Sequence, residues 1–387
     1  YDPVSKNLVP VGENGVPRGA YEPDRNNWAP RVGIAWSLDA ADKTILHAGY
    51  GVYFDQSSLA PGEGLYFNKP YYDFKLYFPL PGYPLTLNDP FPASYPLSIP
   101  GSALGYDRNL RSPYVQQWNL TFKRQLGTDR HIEIAYVGSK GTKNISARDI
   151  NQPAASPIYP NPRPVPQFSD IVYIESRGNS SYNSLQAQFR QRLRAGASAV
   201  ISYTYGKSLD DNSTFFSSNG DSNFPQNSAN PRAERGRSNF DLRHRFSLGY
   251  SLDLPFGRGR RFLSNRHFIS EIFSGWSTYG IVTLQSGRPF TVALLPDNDN
   301  SNTGRASLGF GANNRPNRIS SGKLPDPGPD AWFDTGAFVT ADYGSFGNSG
   351  RNILDGPRYC DFSASVMKDI KVREGLNLQF RAEFFNA

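Results

Sequence analysis

The chain has 387 residues, enough for two ordinary globular domains or one large all-β domain. Its net charge of +7, from 41 basic and 34 acidic residues, is scattered and lacks the basic stripe of a nucleic-acid-binding surface. Cys360 is the only cysteine, which excludes an internal disulfide and a thiolate metal site, and no stretch approaches the ~18 consecutive apolar residues of a membrane-spanning helix.

Aromatic residues make up 14% of the chain and charged residues 19%, with 36 Gly and 31 Pro as punctuation, which suits many strands separated by turns. The mean hydropathy of −0.54 argues against a helical membrane protein only, because a barrel strand shows lipid just every second residue. In chain order, strands are expected at 32–38, 44–54, 116–125, 131–139, 184–193, 197–207, 243–254, 275–285, 361–370 and 376–386. Trp118, Leu120 and Phe122 alternate with polar residues, as do Ile132, Ile134 and Tyr136, then Leu185, Ala187 and Phe189, then Ala199, Ile201, Tyr203 and Tyr205. The pattern is cleanest in Phe246, Leu248, Tyr250, Leu252 and Leu254, and again in Leu376, Leu378, Phe380, Ala382 and Phe384. A period of two places each set on one face of a strand. A ten-residue run tilted near 40° rises roughly 25 Å, the height of an outer-membrane apolar band.

The connections carry as much information as the strands. Tight links at 39–43, 126–130, 194–196 and 371–375 alternate with long ones at 55–115, 140–183, 208–242 and 286–360, and the link at 255–274 is intermediate. Compact soluble domains rarely hold several such loops, whereas outer-membrane barrels pair short periplasmic turns with long extracellular loops. The expected fold is therefore all-β: about ten strands of a larger transmembrane antiparallel β-barrel with long extracellular loops. The alternatives are a surface binding or adhesion protein anchored by a barrel, and a soluble all-β carbohydrate-binding module.

Several segments carry a family resemblance. They include Ala29-Pro30-Arg31-Val32-Gly33-Ile34-Ala35-Trp36, Gly49-Tyr50-Gly51-Val52-Tyr53-Phe54-Asp55, Gln116-Gln117-Trp118-Asn119-Leu120 and Ala135-Tyr136-Val137-Gly138-Ser139-Lys140-Gly141. Later ones are Tyr203-Thr204-Tyr205-Gly206-Lys207-Ser208-Leu209-Asp210, Leu254-Pro255-Phe256-Gly257, Gln285-Ser286-Gly287-Arg288-Pro289-Phe290 and Arg381-Ala382-Glu383-Phe384-Phe385-Asn386. In this order they resemble the barrel of Oar-like TonB-dependent receptors, which often carry a carboxypeptidase-regulatory-like domain. The resemblance implies a barrel of ~22 strands around a plug, located in the outer membrane of a Gram-negative-type bacterium. The partners it implies are outer-membrane lipid, the TonB complex acting through the plug, and a ligand of the saccharide, peptide or siderophore class. On this reading residues 1–387 are a fragment of one receptor-like barrel domain, lacking plug, regulatory domain and the C-terminal strands, and neither cofactor nor nucleic acid is expected.

No catalytic constellation stands out, and no enzyme is expected. His47, His131, His244 and His267 are far apart and none sits in a metal-binding motif; His131 falls on a polar strand face, suited to a hydrogen bond. The run 296–302 is rich in oxygen donors but lacks the Gly and distal Glu of a calcium loop, so exposed Asx-turns explain it, and Asp210, Asp211 and Asn212 are read the same way. Arg258, Arg260 and Arg261 are read as a solvated turn. The first long loop holds Tyr66, Phe67, Tyr71, Tyr72, Phe74, Tyr77, Phe78 and Tyr83. These rings suit either capture of a ligand by stacking or a small core of the loop itself. Glu133, Gln188, Arg190, Arg381 and Glu383 are expected to face the lumen, where they would hold a plug, line a path or pair across strands.

Overall fold

The computed structural model describes residues 1–55, 64–72, 81–83, 85–90, 92, 100–192, 196–214, 224–257, 259–264, 267–295, 298–304 and 314–387. Ten strands form an antiparallel meander: β1 (Arg31–Ser37), β2 (Thr44–Phe54), β4 (Tyr114–Leu126), β5 (Arg130–Asp149), β6 (Ile171–Arg192), β7 (Ser198–Asp210), β9 (His244–Asp253), β10 (Trp276–Gln285), β15 (Tyr359–Arg373) and β16 (Leu376–Phe384). The short strands β3 (Ala103–Tyr106) and β8 (Gly236–Arg237) join the same sheet beside β6 and β7. Two small ribbons, β11 (Pro289–Phe290) with β14 (Leu354–Asp355) and β12 (Asn317–Arg318) with β13 (Phe338–Val339), lie in the long connection before β15. One helix, α1 (His267–Phe273), lies between β9 and β10.

Each expected strand has an observed counterpart, and the register explains why the alternation works. Trp36 pairs with Leu46, then in turn Phe122, Ile134, Ala187, Tyr203, Phe246, Leu284 and Cys360 lie side by side across nine strands. This row and its neighbours form one apolar face whose members are open to the surroundings, among them Ile34, Leu120, Leu185 and Phe380. One residue out of phase runs a polar row: Lys123, Glu133, Gln188, Ser202, Ser247, Thr283 and Asp361. Antiparallel neighbours share a face residue by residue, so unbroken pairing carries the two-sided pattern across the sheet.

All short connections lie on one rim of the meander, and the long connections lie on the other. At the β1–β2 turn, Asp39 Oδ1 accepts from the backbone N–H of Lys43 at 2.9 Å and of Ala41 at 3.1 Å. Those bonds, with one from the Thr44 side chain as the largest cause, hold the Asp39 carboxyl below its ordinary value. At the helix end, Gly275 adopts φ +75°, and a Cβ there would sit 2.3 Å from Asp369 O, so only glycine fits the close crossing.

The long-loop rim departs from expectation in three ways. β5 and β6 extend well beyond 131–139 and 184–193, so much of the loop expected at 140–183 is a continuing hairpin. The other long connections contain strands too: β3, β8 and the two ribbons. β3 also lies parallel to β6, with Ala103 opposite Ile171 and Tyr106 opposite Ile174, so the sheet is not wholly antiparallel. Parallel neighbours need a long crossover, which the chain from β3 through the β4–β5 hairpin to β6 supplies.

The buried apolar clusters lie at this extension and not between the strands of the belt. Ala20, Tyr106, Leu110, Ala147, Ile174 and Phe224 form one; Ala103, Val165 and Ile171 form another. Residues from the first thirty join them: the Tyr1 backbone nitrogen donates to Leu104 O at 2.9 Å, Asp2 meets Arg108 at 3.2 Å, and Tyr21 stacks on Tyr106. Burial pushes the Tyr173 phenol in this head up to about 12, with nearby acids adding to the effect.

Candidate functional site

Several loops at the long-loop rim are joined by ion pairs, most of them buried. Arg315 grips Glu234 with two hydrogen bonds, Nη1 to Oε2 at 2.6 Å and Nη2 to Oε1 at 2.9 Å, and both side chains are 5% exposed. Arg315 Nε donates to Ser349 O, and Glu234 Oε1 also accepts from Gln226 N, so one ion pair joins the connection after β7 to two parts of the connection before β15. Arg351 pairs with Asp210 at the end of β7 and donates to Glu234 O. Arg237 reaches Asp241 at 2.9 Å and Asp355 at 2.5 Å. In the connection between β5 and β6, Arg163 donates to Asp149 at 2.9 Å and to Gly304 O at 3.1 Å and forms an ion pair with Asp170 at 2.8 Å. Buried charge is tolerated when paired and hydrogen-bonded, and the planar guanidinium suits such junctions.

Asp210 therefore differs from the exposed Asx-turn expected: it is 2% exposed and is the acceptor of the Arg351 pair. Asp211 pairs with Arg235 at 3.3 Å, and Asn212 alone of the three makes the turn, its Oδ1 accepting from Thr214 N. In the run 296–302, Asp299 accepts locally from Ser301 Oγ, Thr303 N and Gly304 N, but the run is not the exposed loop expected: Ser301 and Asn302 are buried, bonded to Asn314 and Ser156 respectively, while Pro296 and Asp297 lie outside the described residues. Among the described residues no cluster of His, Cys, Asp or Glu is arranged to hold a metal ion.

Within the first long loop, Gly64–Phe67 form a turn of 3-10 helix. Asn68 fixes it to β3 in both directions, its Nδ2 donating to Leu104 O at 2.9 Å and its Oδ1 accepting from Leu104 N at 2.8 Å. Leu65 packs on the first apolar cluster, whereas Tyr66 is 71% and Tyr71 81% exposed, and Tyr72 and Tyr83 are exposed as well. The described tyrosines thus sit outside the loop's core; Phe74, Tyr77 and Phe78 lie outside the described residues.

The five polar strand residues share one face of the sheet. Glu133 meets Lys123 at 3.4 Å and pairs in register with Gln188, whose Nε2 donates to Ser202 Oγ at 3.3 Å. Arg190 stands opposite His131, and Arg381 contacts Glu383 at 3.1 Å near the far edge. A cavity of about 460 Å³ opens where the β5–β6 extension meets the connection after β7. Its walls carry Arg148 and Arg177, which share Glu175, together with Asn179, Asp211 and Arg232. Alternation gave no sign of this cavity or of the ion pairs.

The family model described as "Outer membrane beta barrel domain" matches residues 1–387. Among solved structures, the outer membrane transporter YddB from Escherichia coli is similar over 93% of this chain and 36% of its own length, at 12% identity and a TM-score of 0.52. The siderophore receptor PirA from Pseudomonas aeruginosa matches over 93% of this chain and 38% of its own, at 12% identity and a TM-score of 0.39. The chain thus spans a little over a third of the length of these two structures. No curated protein sequence matches.

Proposed function

From the premise that this chain belongs to the outer membrane beta barrel domain family, we propose that it forms part of the wall of a TonB-dependent receptor that binds a large ligand at the cell surface and moves it across the outer membrane. It resides in the outer membrane of a Gram-negative-type bacterium and is not an enzyme. The family and the outward-open apolar belt set aside the soluble carbohydrate-binding module.

The observation that carries the proposal is the asymmetry of the two rims. Short turns close one, while the other supports a head cemented by Arg315–Glu234, Arg351–Asp210 and Arg163–Asp149. An ordered head supports binding at the cell surface, which a transporter and a barrel-anchored adhesin would share, so uptake is what separates them. In this reading the apolar face meets lipid, the short turns face the periplasm, and the head receives the ligand. Tyr66, Phe67, Tyr71, Tyr72, Phe74, Tyr77, Phe78 and Tyr83 supply the capture surface. The polar face with Glu133, Gln188, Arg190, Arg381 and Glu383 borders a plug through which TonB acts. Membership of the Oar-like branch belongs to the proposal, on the strength of the ordered segments from Ala29 to Asn386.

The test uses the full-length protein in its own outer membrane. Heat-modifiable migration in that fraction, together with TonB-dependent loss of a saccharide, peptide or siderophore from the medium, is the expected outcome. Ligand binding without TonB-dependent uptake would replace the transporter by a surface receptor or adhesin.

A further inference from the structure

The connection between β9 and β10 is the only short-rim link that contains a helix among the described residues. Trp276, Lys368 and Phe380 are register partners on three successive strands, in phase with Leu252, Val366 and Ala382 of the apolar face. Two of these side chains hold the helix: Trp276 Nε1 donates to Ile272 O at 3.0 Å, and Lys368 Nζ donates to the same oxygen at 2.5 Å. Lys368 also lies over the Trp276 ring, and Phe380 meets that ring edge-on. Donors on the apolar face can reach the end of α1 only if the helix hangs on that side of the rim.

The helix then turns its apolar residues away from the protein. Ser270 is 3% exposed against the rim, while Phe268 is 80% exposed and Ile272 and Phe273 are each nearly half exposed. Close by, Phe256 and Phe262 pack together with exposed rings, and the Arg261 guanidinium lies over Phe262. Aromatic and aliphatic side chains beside cationic tips compose a membrane-interface segment, in which rings enter the acyl boundary and cations stay with headgroups.

We infer that the β9–β10 connection is an interfacial anchor, with α1 lying in the periplasmic-leaflet surface of the outer membrane and Arg261 among the phospholipid headgroups. Its occupant is lipid because Trp276, Lys368 and Phe380 join the exposed patch to the apolar face of the sheet. The basic side chains match phosphate. The inference rests on the reading that the short turns face the periplasm, and it is independent of transport.

The experiment places a nitroxide at Phe268→Cys of the full-length protein in a Cys360→Ser background, reconstituted in phosphatidylethanolamine–phosphatidylglycerol vesicles. Collision with oxygen and with a water-soluble nickel chelate is compared with two controls, Leu185→Cys on the apolar face and Asp129→Cys in the β4–β5 turn. The Phe268 label is expected to favour oxygen several-fold more than the Asp129 label and to approach the Leu185 label. A nickel accessibility equal to that of Asp129, with Leu185 still in lipid, overturns the anchor and leaves the barrel standing. Failure of the Leu185 control to report lipid would overturn the membrane placement of the whole face. Replacing Arg261→Gln should lower the Phe268 label's oxygen preference in phosphatidylglycerol-rich vesicles; no change there removes the headgroup contact.

Discussion

Removing Arg315 while leaving Glu234 in place should open the head. Both side chains are 5% exposed, and the carboxylate receives two guanidinium bonds and one backbone N–H. In the Arg315→Met variant the buried carboxylate keeps only the Gln226 N–H among these, and Ser349 O loses its donor. Breaking one side of a buried pair costs about 3–5 kcal/mol, because the remaining charge stays desolvated. The double variant Glu234→Gln/Arg315→Met removes the charge as well and should recover most of that loss. Native-state hydrogen exchange at the amides of Gln226 and Ile319 reads the opening locally. The single variant is expected to exchange faster by about two to three and a half powers of ten. A single variant within tenfold of the parent, or a double variant no slower than the single, would refute the reasoning that this pair locks the loops.

Three further outcomes follow from the sheet and its turns. Leu120→Arg, on the apolar face, should destabilise the protein in urea by about 2–4 kcal/mol, whereas Asn119→Arg on the polar face should cost far less; equal losses would contradict the assignment of faces. Gly275→Val brings a Cβ against Asp369 O at a positive φ and should lower the temperature at which the folded gel band is lost, while Gly249→Ala, with nothing within 4 Å of the added atom, should not. The Asp39 carboxyl sits below its ordinary value of 3.8, so its contribution is present above that pH and disappears as pH falls through the folded value. The gap in urea midpoint between the parent and Asp39→Asn should therefore persist at about pH 5 and close in stronger acid; a gap unchanged by acidification would contradict the carboxylate's role in the turn.

The belt was legible because lipid-facing and opposite residues differ so sharply in strands such as Phe246-Ser247-Leu248-Gly249-Tyr250. The extension of β5 and β6 was not, since the register shifts between Gly141 and Asn144 and Lys143 adopts φ +58°, which breaks the period of two where the hairpin continues. β-branched and aromatic residues from Ile171 to Ile174 carried a signal that could have extended β6. Helix α1 spans seven residues, too short for a 3.6-residue period to emerge. Ion pairs were hidden for a different reason. Glu234 and Arg315 are 81 positions apart, and nothing local to either names its partner. The aromatic loop was found by composition, but its attachment came from Asn68, a residue with no pattern around it.

The continuous register has a bearing on how such a sequence can vary. Because neighbours inherit their facing from one another, a one-residue insertion inside β7 would turn every later position of that strand to the wrong medium unless a bulge absorbed it. The same insertion at 324–330, where no strand runs, would leave every pairing intact. Length changes should therefore accumulate at the outer rim and stop at the edge of the belt. Recognition can then drift from one lineage to the next while the membrane-facing pattern stays fixed.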